Sequence, residues 1–414
     1  IITMGQLPIC TYTNEIYPEL IMFWGHNPIY TGPDGELGFG VKEALARKPA
    51  TIVVDPRETW LAKRADIWLQ LRPGTDDALA LAMLNVIIGE ELEDKEFVEK
   101  WCHGFEDLAE RVKVYTPEWA EPITWVTAEK IRKAARLFAE IKPSMMEWGC
   151  AIEHTPACFQ TVRALLCLPS ITGNIDQPGS WSFGMLPLPP FPQLFDKMPM
   201  DQQKKRLGYD DFKVLSGELA QLPSAHIPTI FNAIRTGEPY PVRTGFIFGN
   251  NALSTYGDVK TVFETLMALD YLVVAELYMT PTAEIADLIL PVATWAEVDA
   301  LPAVPFYGQN VIMAQQKTFQ YAECKQDEDI MVEICRRLGT EHGQESPQEV
   351  YDSMLRSTLD FGWEELKQMG FYEPEFKWQK YKENGFDTPT RKIELYSTRL
   401  QELGYDPLPY YEEP

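Results

Sequence analysis

Short apolar runs alternate with helical patterns along most of the chain, which is typical of an α/β protein. The runs at 19–24 and 51–55 are rich in apolar and β-branched residues and end in turn residues, so they predict parallel strands. A helical pattern over Gly40–Arg47 lies between them and predicts a βαβ unit. A longer helix is predicted over Ala78–Gly89, and regular alternation resumes at Val242.

One four-part pattern occurs twice. Each copy has a strand ending in Gly-x-Asn, a second strand ending in an acid, an Ala-Asp pair that opens a third strand, and a further acid. The successive acids have the same spacing in both copies. The matching positions are Gly25, Asp55, Asp66 and Asp76 in the first copy and Gly249, Glu276, Asp287 and Glu297 in the second.

The repeat predicts an α/β fold with two Rossmann-like αβα domains, whose parallel sheets are related by a pseudo-twofold repeat and whose nucleotide-binding halves face one ligand site. We assign the first dinucleotide-binding domain to 1–190 and the second to 241–400. An irregular Pro-rich excursion is predicted over 191–240, and an extended tail over 401–414.

Composition narrows the function classes. The chain has 61 acidic and 37 basic residues and a formal net charge of -24, which disfavours binding to nucleic acid. The sequence has no apolar run long enough to predict a membrane-spanning helix. Its seven Cys form no Cys-x-x-Cys pair, so we expect neither a zinc knuckle nor an iron–sulfur cluster in this segment and predict a cytoplasmic, reducing location.

Candidate ligand contacts in the first copy follow the predicted strands. Glycine lets the backbone approach a ligand, and Asn can bond a phosphate or a base edge. An acid after the second strand commonly bonds a ribose hydroxyl, and a carboxylate suits the two adjacent N–H donors of guanine. The alternatives are a plain turn, a solvated ion pair or a helix N-cap. The candidates are Gly25, His26, Asn27, Asp55, Pro56, Arg57, Arg72, Gly74 and Asp76.

The second copy offers a comparable set. Hydroxyl groups and backbone N–H groups at a helix start suit a pyrophosphate, although a capped helix without any ligand is the alternative. A third predicted strand–loop, Trp148–Thr155, adds Trp148, Gly149 and Cys150 as contacts, with a packing role as the alternative for His154. The second-copy candidates are Gly249, Asn250, Asn251, Glu276, Thr280, Thr282, Asp287 and Glu297.

In combination these motifs resemble the molybdopterin oxidoreductases of the dimethyl-sulfoxide-reductase type. Ala65–Trp101 and the tail Gly404–Tyr411 look most similar to the acetylene hydratase branch, and Trp148–Thr155 is similar to a pterin-contacting loop of formate dehydrogenases. The motifs that carry the family resemblance are Gly25–Pro28, Val54–Arg57, Leu71–Asp76 and Ala286–Pro291.

The resemblance implies two molybdopterin guanine dinucleotides around one molybdenum or tungsten atom. It implies that Asn27, Asp55, Arg57 and Asp76 hold one dinucleotide. The other would be held by Asn250, Glu276, Thr282, Asp287 and Glu297, and Glu153 and His154 would be catalytic candidates near the metal.

The family also implies parts that this sequence lacks. A domain with a four-Cys cluster and the metal-ligating residue would precede Ile1, and a β-barrel domain would follow the tail. We therefore expect a central fragment of a longer enzyme, with no metal ligand of its own and the 4Fe-4S cluster in the N-terminal part.

The implied reaction is two-electron oxygen-atom transfer or (de)hydroxylation of a small substrate, with electrons passing to an iron–sulfur subunit. Two alternatives stay open. One is a non-redox, tungsten-dependent hydratase of the acetylene type, and the other is a binding or assembly subunit that has lost the cofactor.

Overall fold

The structure is a computed structural model of the 414-residue chain. It describes residues 2–10, 12, 16–31, 35–183, 188–189, 197–218, 220, 224–304, 311–340 and 342–414. The chain divides into two compact units. The first unit contains Ile1–Leu186 and Pro374–Pro414, and the second contains Pro187–Ala303 and Val311–Glu373.

The described strands are short and mostly parallel. They are β1 (Pro8–Cys10), β2 (Leu20–Trp24), β3 (Ala50–Val54), β4 (Ile67–Leu69), β5 (Cys102–His103), β6 (Ser144–Trp148), β7 (Trp181–Phe183), β8 (Thr244–Phe248), β9 (Tyr271–Glu276), β10 (Leu288–Pro291), β11 (Ala303–Val304), β12 (Val311–Met313), β13 (Phe371–Tyr372) and β14 (Ile393–Glu394).

Helices separate most of these strands. They are α1 (Pro28–Thr31), α2 (Gly35–Ala46), α3 (Asp76–Gly89), α4 (Lys95–Trp101), α5 (Phe105–Val112), α6 (Pro117–Thr124), α7 (Ala128–Glu140), α8 (Cys150–Glu153), α9 (Cys158–Ile171), α10 (Met200–Gln203), α11 (Ile227–Thr236), α12 (Ala252–Thr255), α13 (Val259–Leu266), α14 (Pro281–Glu284), α15 (Asp327–Leu338), α16 (Pro347–Thr358), α17 (Trp363–Met369), α18 (Tyr381–Asn384) and α19 (Thr398–Glu402), with 3-10 turns at Ala62–Arg64 and Trp295–Glu297.

The first unit is built on a parallel sheet with the strand order β4-β3-β2-β6. Every side chain of β2 is buried, as expected for a parallel strand covered on both faces. The helix α7 lies near β4 and buries Ile131, Ala134 and Phe138 on one face. Its N-cap is Thr127, which accepts a hydrogen bond from the backbone N–H of Lys130.

The second unit has a smaller parallel sheet with the order β10-β9-β8. Val262 and Leu266 of α13 pack with Leu272 and Val274 of β9 in its buried cluster. A separate antiparallel pair joins β12 and β13, with β11 beside β12. The mixed α/β class with parallel sheets is therefore confirmed.

The Ala-Asp pairs of the sequence repeat have the same structural role in the two sheets. Asp66 accepts a hydrogen bond from the backbone N–H of Thr51, with N to Oδ2 at 2.8 Å. Asp287 accepts one from the backbone N–H of Leu272, with N to Oδ2 at 2.7 Å. In each unit the acid before the third strand thus satisfies a donor at the start of the second strand.

The region expected to be irregular, 191–240, contains a ten-residue helix, α11. Pro228 lies in its first turn, where a missing N–H breaks no helical hydrogen bond. Gly237, with a φ of 77°, ends it in the left-handed conformation. The Pro-rich expectation for residues 191–196 falls outside the described residues.

The C-terminal segment from Pro374 belongs to the first unit, although the sequence analysis assigned residues up to 400 to the second domain. Ile393 of β14 pairs with Cys102 of β5 in parallel register. Lys380 also binds the buried side chain of Asp176, with Nζ to Oδ1 at 3.2 Å. Contacts between residues this far apart in sequence leave no local pattern, so the sequence did not indicate them.

The Asp176–Lys380 ion pair should contribute strongly to stability. Asp176 is fully buried and Lys380 is 16% exposed, so Asp176→Asn leaves a poorly solvated ammonium and should lower the free energy of unfolding by about 2–4 kcal/mol. Asp387→Asn is the matched control, because its pair with Arg391 is exposed and long, at 3.9 Å, and should cost less than about 0.5 kcal/mol. Urea denaturation measures both, and equal losses would contradict the prediction.

Candidate functional site

The carboxyl ends of four parallel strands meet at one edge of the first sheet. Trp24 pairs with Val54 on one side and Trp148 on the other, and Val54 pairs with Leu69. The strand order changes direction at β2, because β3 and β4 lie on one side of it and β6 on the other. Such a switch point is where α/β sheets place a ligand crevice.

Two glycines at this edge allow two loops to approach each other. Gly25 has a φ of 58°, and a Cβ there would lie 3.3 Å from Ala151. A Cβ on Gly149 would lie 2.8 Å from the carbonyl oxygen of Gly25. Both glycines were predicted to admit a ligand, but the structure gives them the prior task of packing the loop after β2 against the loop after β6.

Asn27 carries an unused acceptor. Its backbone carbonyl accepts hydrogen bonds from the N–H groups of Tyr30 and Thr31 at the start of α1. Its side-chain Oδ1 is buried and has no hydrogen-bond partner among the residues described. Because a buried acceptor without a donor is costly, this atom fits an N–H or O–H group supplied by a ligand.

Asp55 follows β3 and is 5% exposed. Its Oδ1 accepts the backbone N–H of Arg57 at 2.7 Å, so it forms a local turn. The guanidinium of Arg57 is 76% exposed and lies 3.9 Å from Asp55, and Pro56 is also exposed. Asp55 is therefore held in place at the edge, whereas Arg57 extends into solvent.

Asp76 begins α3 and is 8% exposed. The indole Nε1 of Trp24 donates a hydrogen bond to its Oδ1 at 2.8 Å. Burial raises the pKa of Asp76 to about 6, and the Trp24 hydrogen bond opposes that rise. Burial likewise raises the pKa of the next residue, Asp77, to about 7. Two adjacent carboxyl groups thus share a site that disfavours their charged forms.

The C-terminal tail covers the loop before α3. Arg72 binds Glu413 with Nη2 to Oε1 at 2.9 Å, and the backbone N–H of Glu412 donates to Asp77 Oδ2 at 3.0 Å. A Cβ on Gly74, whose φ is 85°, would lie 2.9 Å from Pro414. Arg72, predicted as a cofactor contact, therefore already has an acidic partner in the structure.

A buried polar cluster that was not predicted from the sequence lies behind the β2 loop. Nδ1 of His26 lies 2.7 Å from Oε1 of Glu147, and the hydroxyl of Tyr12 donates to Oε2 of Glu147 at 2.6 Å. Burial and the nearby Glu147 raise the pKa of Tyr12. His26 thus turns towards Glu147, and the signal for this was a charged residue within the apolar strand β6.

The Trp148–His154 candidates lie on and beside α8. Trp148 Nε1 donates to Glu153 Oε1 at 2.9 Å. Cys150, Glu153 and His154 are exposed. No cluster of three or more His, Cys, Asp or Glu side chains suited to a metal occurs within the described residues, so these candidates have no metal-ligand geometry of their own.

The Asn residues of the second copy have their side chains satisfied. Asn250 Nδ2 donates to the hydroxyl of Tyr256 at 2.8 Å. Oδ1 of Asn251 accepts the hydroxyl of Thr282 at 2.9 Å, and Thr282 also accepts the backbone N–H of Leu253. Thr280 is the N-cap of α14. The loop after Gly249, whose φ is 54°, is therefore held by internal hydrogen bonds.

The two copies differ at the position that satisfies this loop. Asn27 and Asn251 correspond, because each accepts backbone hydrogen bonds from the four-residue helix that follows it. Thr282 lies six positions after the strand-end acid Glu276. The residue six positions after the corresponding acid, Asp55, is Leu61, which has no hydroxyl group. Asn27 Oδ1 is buried without a donor, whereas Asn251 Oδ1 has one.

Glu276 and Glu297 share their repeat offsets with Asp55 and Asp76 but not their environments. Glu276 ends β9 and accepts the N–H of Leu277. Glu297 Oε2 accepts from Thr294 and its Oε1 from Tyr321 and Cys324. These donors, led by the Thr294 backbone, lower the pKa of Glu297 to about 2. Both oxygens of Glu297 are engaged, so it resembles Asp76 in position only.

Asp287 lies at the opposite end of β9 from the second-copy candidate Glu276. It caps the start of β9 through Leu272, whereas Glu276 lies at the end of the same strand. Four residues of strand separate the two ends by about 13 Å. Asp287 therefore caps the end of the strand opposite to Glu276, and its assignment as a cofactor contact stays a prediction.

Two further observations limit the site. A cleft of about 520 Å³ lies near the start of β3, lined by Lys48, Thr51, Trp60 and Arg64 among others, away from the carboxyl edge.

Within the described ranges, none of the helices has the length and apolarity needed to cross a bilayer. The candidate site therefore depends on buried polar groups at the carboxyl edge rather than on the volume of a cavity.

A parallel α/β sheet with a switch point in its strand order and a buried acid at a following helix start is typical of nucleotide-binding domains. The chain matches the molybdopterin oxidoreductase family over residues 11–337. It belongs to that family.

Its relatives include two enzymes of different activity. The chain is 35% identical over 403 residues to acetylene hydratase of Syntrophotalea acetylenica, covering 90% of this chain and 54% of the relative. It is 30% identical over 395 residues to formate dehydrogenase H of Escherichia coli (strain K12), covering 90% of this chain and 53% of the relative.

The fold agrees with these relationships. The solved structure of acetylene hydratase from Pelobacter acetylenicus superimposes with a TM-score of 0.88 and 32% identity, covering 100% of this chain and 60% of that chain. The chain therefore spans about half the length of the curated relatives described above.

The raised pKa of Asp76 predicts a pH-dependent stability. The carboxyl ionises near pH 4 in an unfolded chain and at about 6 in the folded protein, so stability is lost as pH rises through this window. Asp76→Asn removes the ionisation. Urea denaturation should therefore show that the stability of the Asp76→Asn variant, compared with the original protein at the same pH, increases by about 1.5 kcal/mol between about pH 5 and about pH 8.

Glu297→Gln should behave in the opposite way. The pKa of Glu297 is lowered to about 2, so its stabilisation is present above about pH 4 and is lost as pH falls towards about 2. The substitution should therefore destabilise the protein near neutral pH and have little effect near pH 2. The same trend with pH in both variants would contradict these assignments.

Proposed function

We propose that this chain is the cofactor-binding part of a molybdenum or tungsten enzyme that holds two molybdopterin guanine dinucleotides, one in each unit. The proposed reaction is a two-electron oxygen-atom transfer or (de)hydroxylation of a small substrate. Membership of the molybdopterin oxidoreductase family supports the cofactor class. The metal and pterin supply the redox chemistry when bound, while the protein binds and orients them.

The observation that carries this proposal is the set of unused acceptors at the carboxyl edge of the first sheet. Asn27 has a buried Oδ1 without a donor. In Asp76, Oδ1 accepts from Trp24, and Oδ2 receives no hydrogen bond from another residue in the described part of the chain. The dinucleotide offers N–H and O–H donors on guanine and ribose, which are the groups that these oxygens need.

Each residue has a proposed task in binding. Asp76 would accept the ring N–H and the amino group of guanine with its two oxygens. Asp55 would accept a ribose hydroxyl, as an acid after the second strand does in doubly wound folds. Asn27 would accept a donor through Oδ1. The N–H groups of Gly25 and Gly149 donate to the carbonyl oxygens of Val54 and Trp24, so later N–H groups of the loops after β2 and β6 would orient phosphates.

For the second dinucleotide we propose the loop after Gly249 together with Glu276 and Thr280. We interpret the two units as copies of one Rossmann-like repeat, which the matching caps Asp66 and Asp287 support. Asn250, Asn251 and Thr282 would shape this loop rather than bind the ligand directly. Asn250 is already hydrogen-bonded to Tyr256, and Asn251 and Thr282 are hydrogen-bonded to each other. Glu297 is a weaker candidate, because its oxygens are engaged.

A second candidate function is a non-redox hydration of a triple bond. The likeness to acetylene hydratase in sequence and in fold favours it. The residues of the described chain that orient a cofactor would serve either reaction, so the distinction depends on the assay. Glu153 and His154 stay predictions as catalytic groups, as do the iron–sulfur partner subunit, the 4Fe-4S cluster and the cytoplasmic location.

The cofactor proposal predicts the content of the natively purified full-length protein. Elemental analysis should find molybdenum or tungsten, and acid hydrolysis should release about two GMP per metal atom, one for each unit. A protein with neither metal nor GMP would support the cofactor-free binding or assembly subunit instead.

Asp76→Ala in the full-length protein should lower its GMP content, because the guanine loses both carboxylate oxygens. A loss of about tenfold or more in affinity is expected for a charged hydrogen-bonding partner. Asp107→Ala, an exposed acid in the first turn of α5, is the control and should leave GMP content unchanged. Unchanged GMP in Asp76→Ala would remove Asp76 from the guanine site.

The two candidate reactions predict different requirements. A redox enzyme should need an external electron donor or acceptor for turnover, whereas a hydratase should convert acetylene and water to acetaldehyde with no net electron transfer. Assays of the purified holoenzyme with and without an electron acceptor separate the two, and acetaldehyde formation without an acceptor would reject the redox proposal.

A further inference from the structure

Trp24 is a fully buried residue whose single polar atom is directed at the candidate site. It ends β2 and is 0% exposed. A buried indole N–H requires an acceptor, and many backbone carbonyls occur in such a core. The acceptor of Trp24 is instead the side-chain Oδ1 of Asp76, at 2.8 Å.

The indole of Trp24, which donates this hydrogen bond, has less conformational freedom than the carboxyl group of Asp76, which accepts it. The backbone of Trp24 lies between two parallel neighbours, paired with Val54 and Trp148, so the indole has little freedom. Asp76 is the first residue of α3, and its carboxyl group has two side-chain torsions. The hydrogen bond therefore fixes the rotation of the carboxyl group from one side and leaves Oδ2 for another donor.

We propose that Trp24 is a positioning residue that orients the Asp76 carboxylate so that both of its oxygens accept from guanine. The inference rests on the proposed function, because it assigns a task within the guanine site. Oδ1 retains a second lone pair while it accepts from the indole. A carboxylate held in one plane can distinguish guanine, with two adjacent donors, from hypoxanthine, which lacks the amino group.

A residue that merely fills the core would affect the two bases equally. Loss of Trp24 as packing would weaken GMP and IMP binding by the same factor. Loss of Trp24 as a positioning group would weaken GMP selectively, because a freely rotating carboxylate keeps one hydrogen bond more easily than two. The ratio of the two affinities is therefore the readout that a structural role would not change.

The test uses full-length protein produced without the molybdenum cofactor, titrated calorimetrically with GMP and with IMP. It follows the binding event that Asp76→Ala removes, because a second dinucleotide site is proposed in the other unit. The original protein should prefer GMP by about tenfold or more, because IMP lacks the amino group and leaves one carboxylate oxygen of Asp76 without a donor. Trp24→Phe, which keeps an aromatic ring but removes the N–H, should reduce this preference to about threefold or less.

Trp181→Phe is the matched control. Trp181 is also buried in the first unit, at 2% exposure, but its Nε1 donates to the backbone carbonyl of Met146 at 2.5 Å. The Trp181→Phe substitution removes a buried indole N–H from the same unit, but not the one that donates to Asp76. It should therefore keep the preference for GMP even if its stability falls.

Asp76→Asn separates the inference from the function on which it rests. Loss of the GMP preference in both Asp76→Asn and Trp24→Phe, but not in Trp181→Phe, supports the positioning role. Loss in Asp76→Asn alone overturns the inference and leaves the guanine site in place. A GMP preference unchanged in all three variants, or absent from the original protein, overturns the assignment of Asp76 to guanine and the inference with it.

Discussion

Burial of β2 on both faces constrains the rest of the first unit. All five of its side chains are inaccessible to solvent, so polar groups that act on a ligand have to come after the strand ends. Parallel neighbours then bring the ends of β3 and β6 to the same edge. Trp24 is the exception within the strand, since its one polar atom faces Asp76. A hydrogen bond therefore links the carboxylate at the sheet edge directly to a residue of the buried core.

The two copies of the repeat use the same positions for different purposes. Asp66 and Asp287 cap a strand in the same way, which explains why this part of the pattern is preserved in the sequence. Asp76 and Glu297 have equal offsets, yet burial raises the pKa of one and hydrogen-bond donors lower the pKa of the other. A shared offset therefore identifies a shared backbone position, and the surrounding donors decide whether the carboxylate is free to bind.

Local patterns in the sequence were sufficient for the strands of the two parallel sheets and for α3, because burial and helix-start residues leave a direct trace. The location of Asp287 at the start of β9 could not be predicted, because the sequence does not show which end of a strand a side chain caps. The Asp176–Lys380 pair joins residues 204 positions apart and leaves no local trace. By contrast, α16 begins with the capping box of Ser346 and Glu349, a signal that was present in the sequence but was overlooked.

The buried acids at the start of α3 connect stability with binding. Asp76 and Asp77 are buried beside each other, and burial opposes their ionisation. The hydrogen bond from Trp24 and the helix start reduce this cost but do not remove it. A ligand with two N–H donors would stabilise the charged form of Asp76 and lower its pKa. Binding at Asp76 would therefore offset part of a destabilisation that is built into the folded protein.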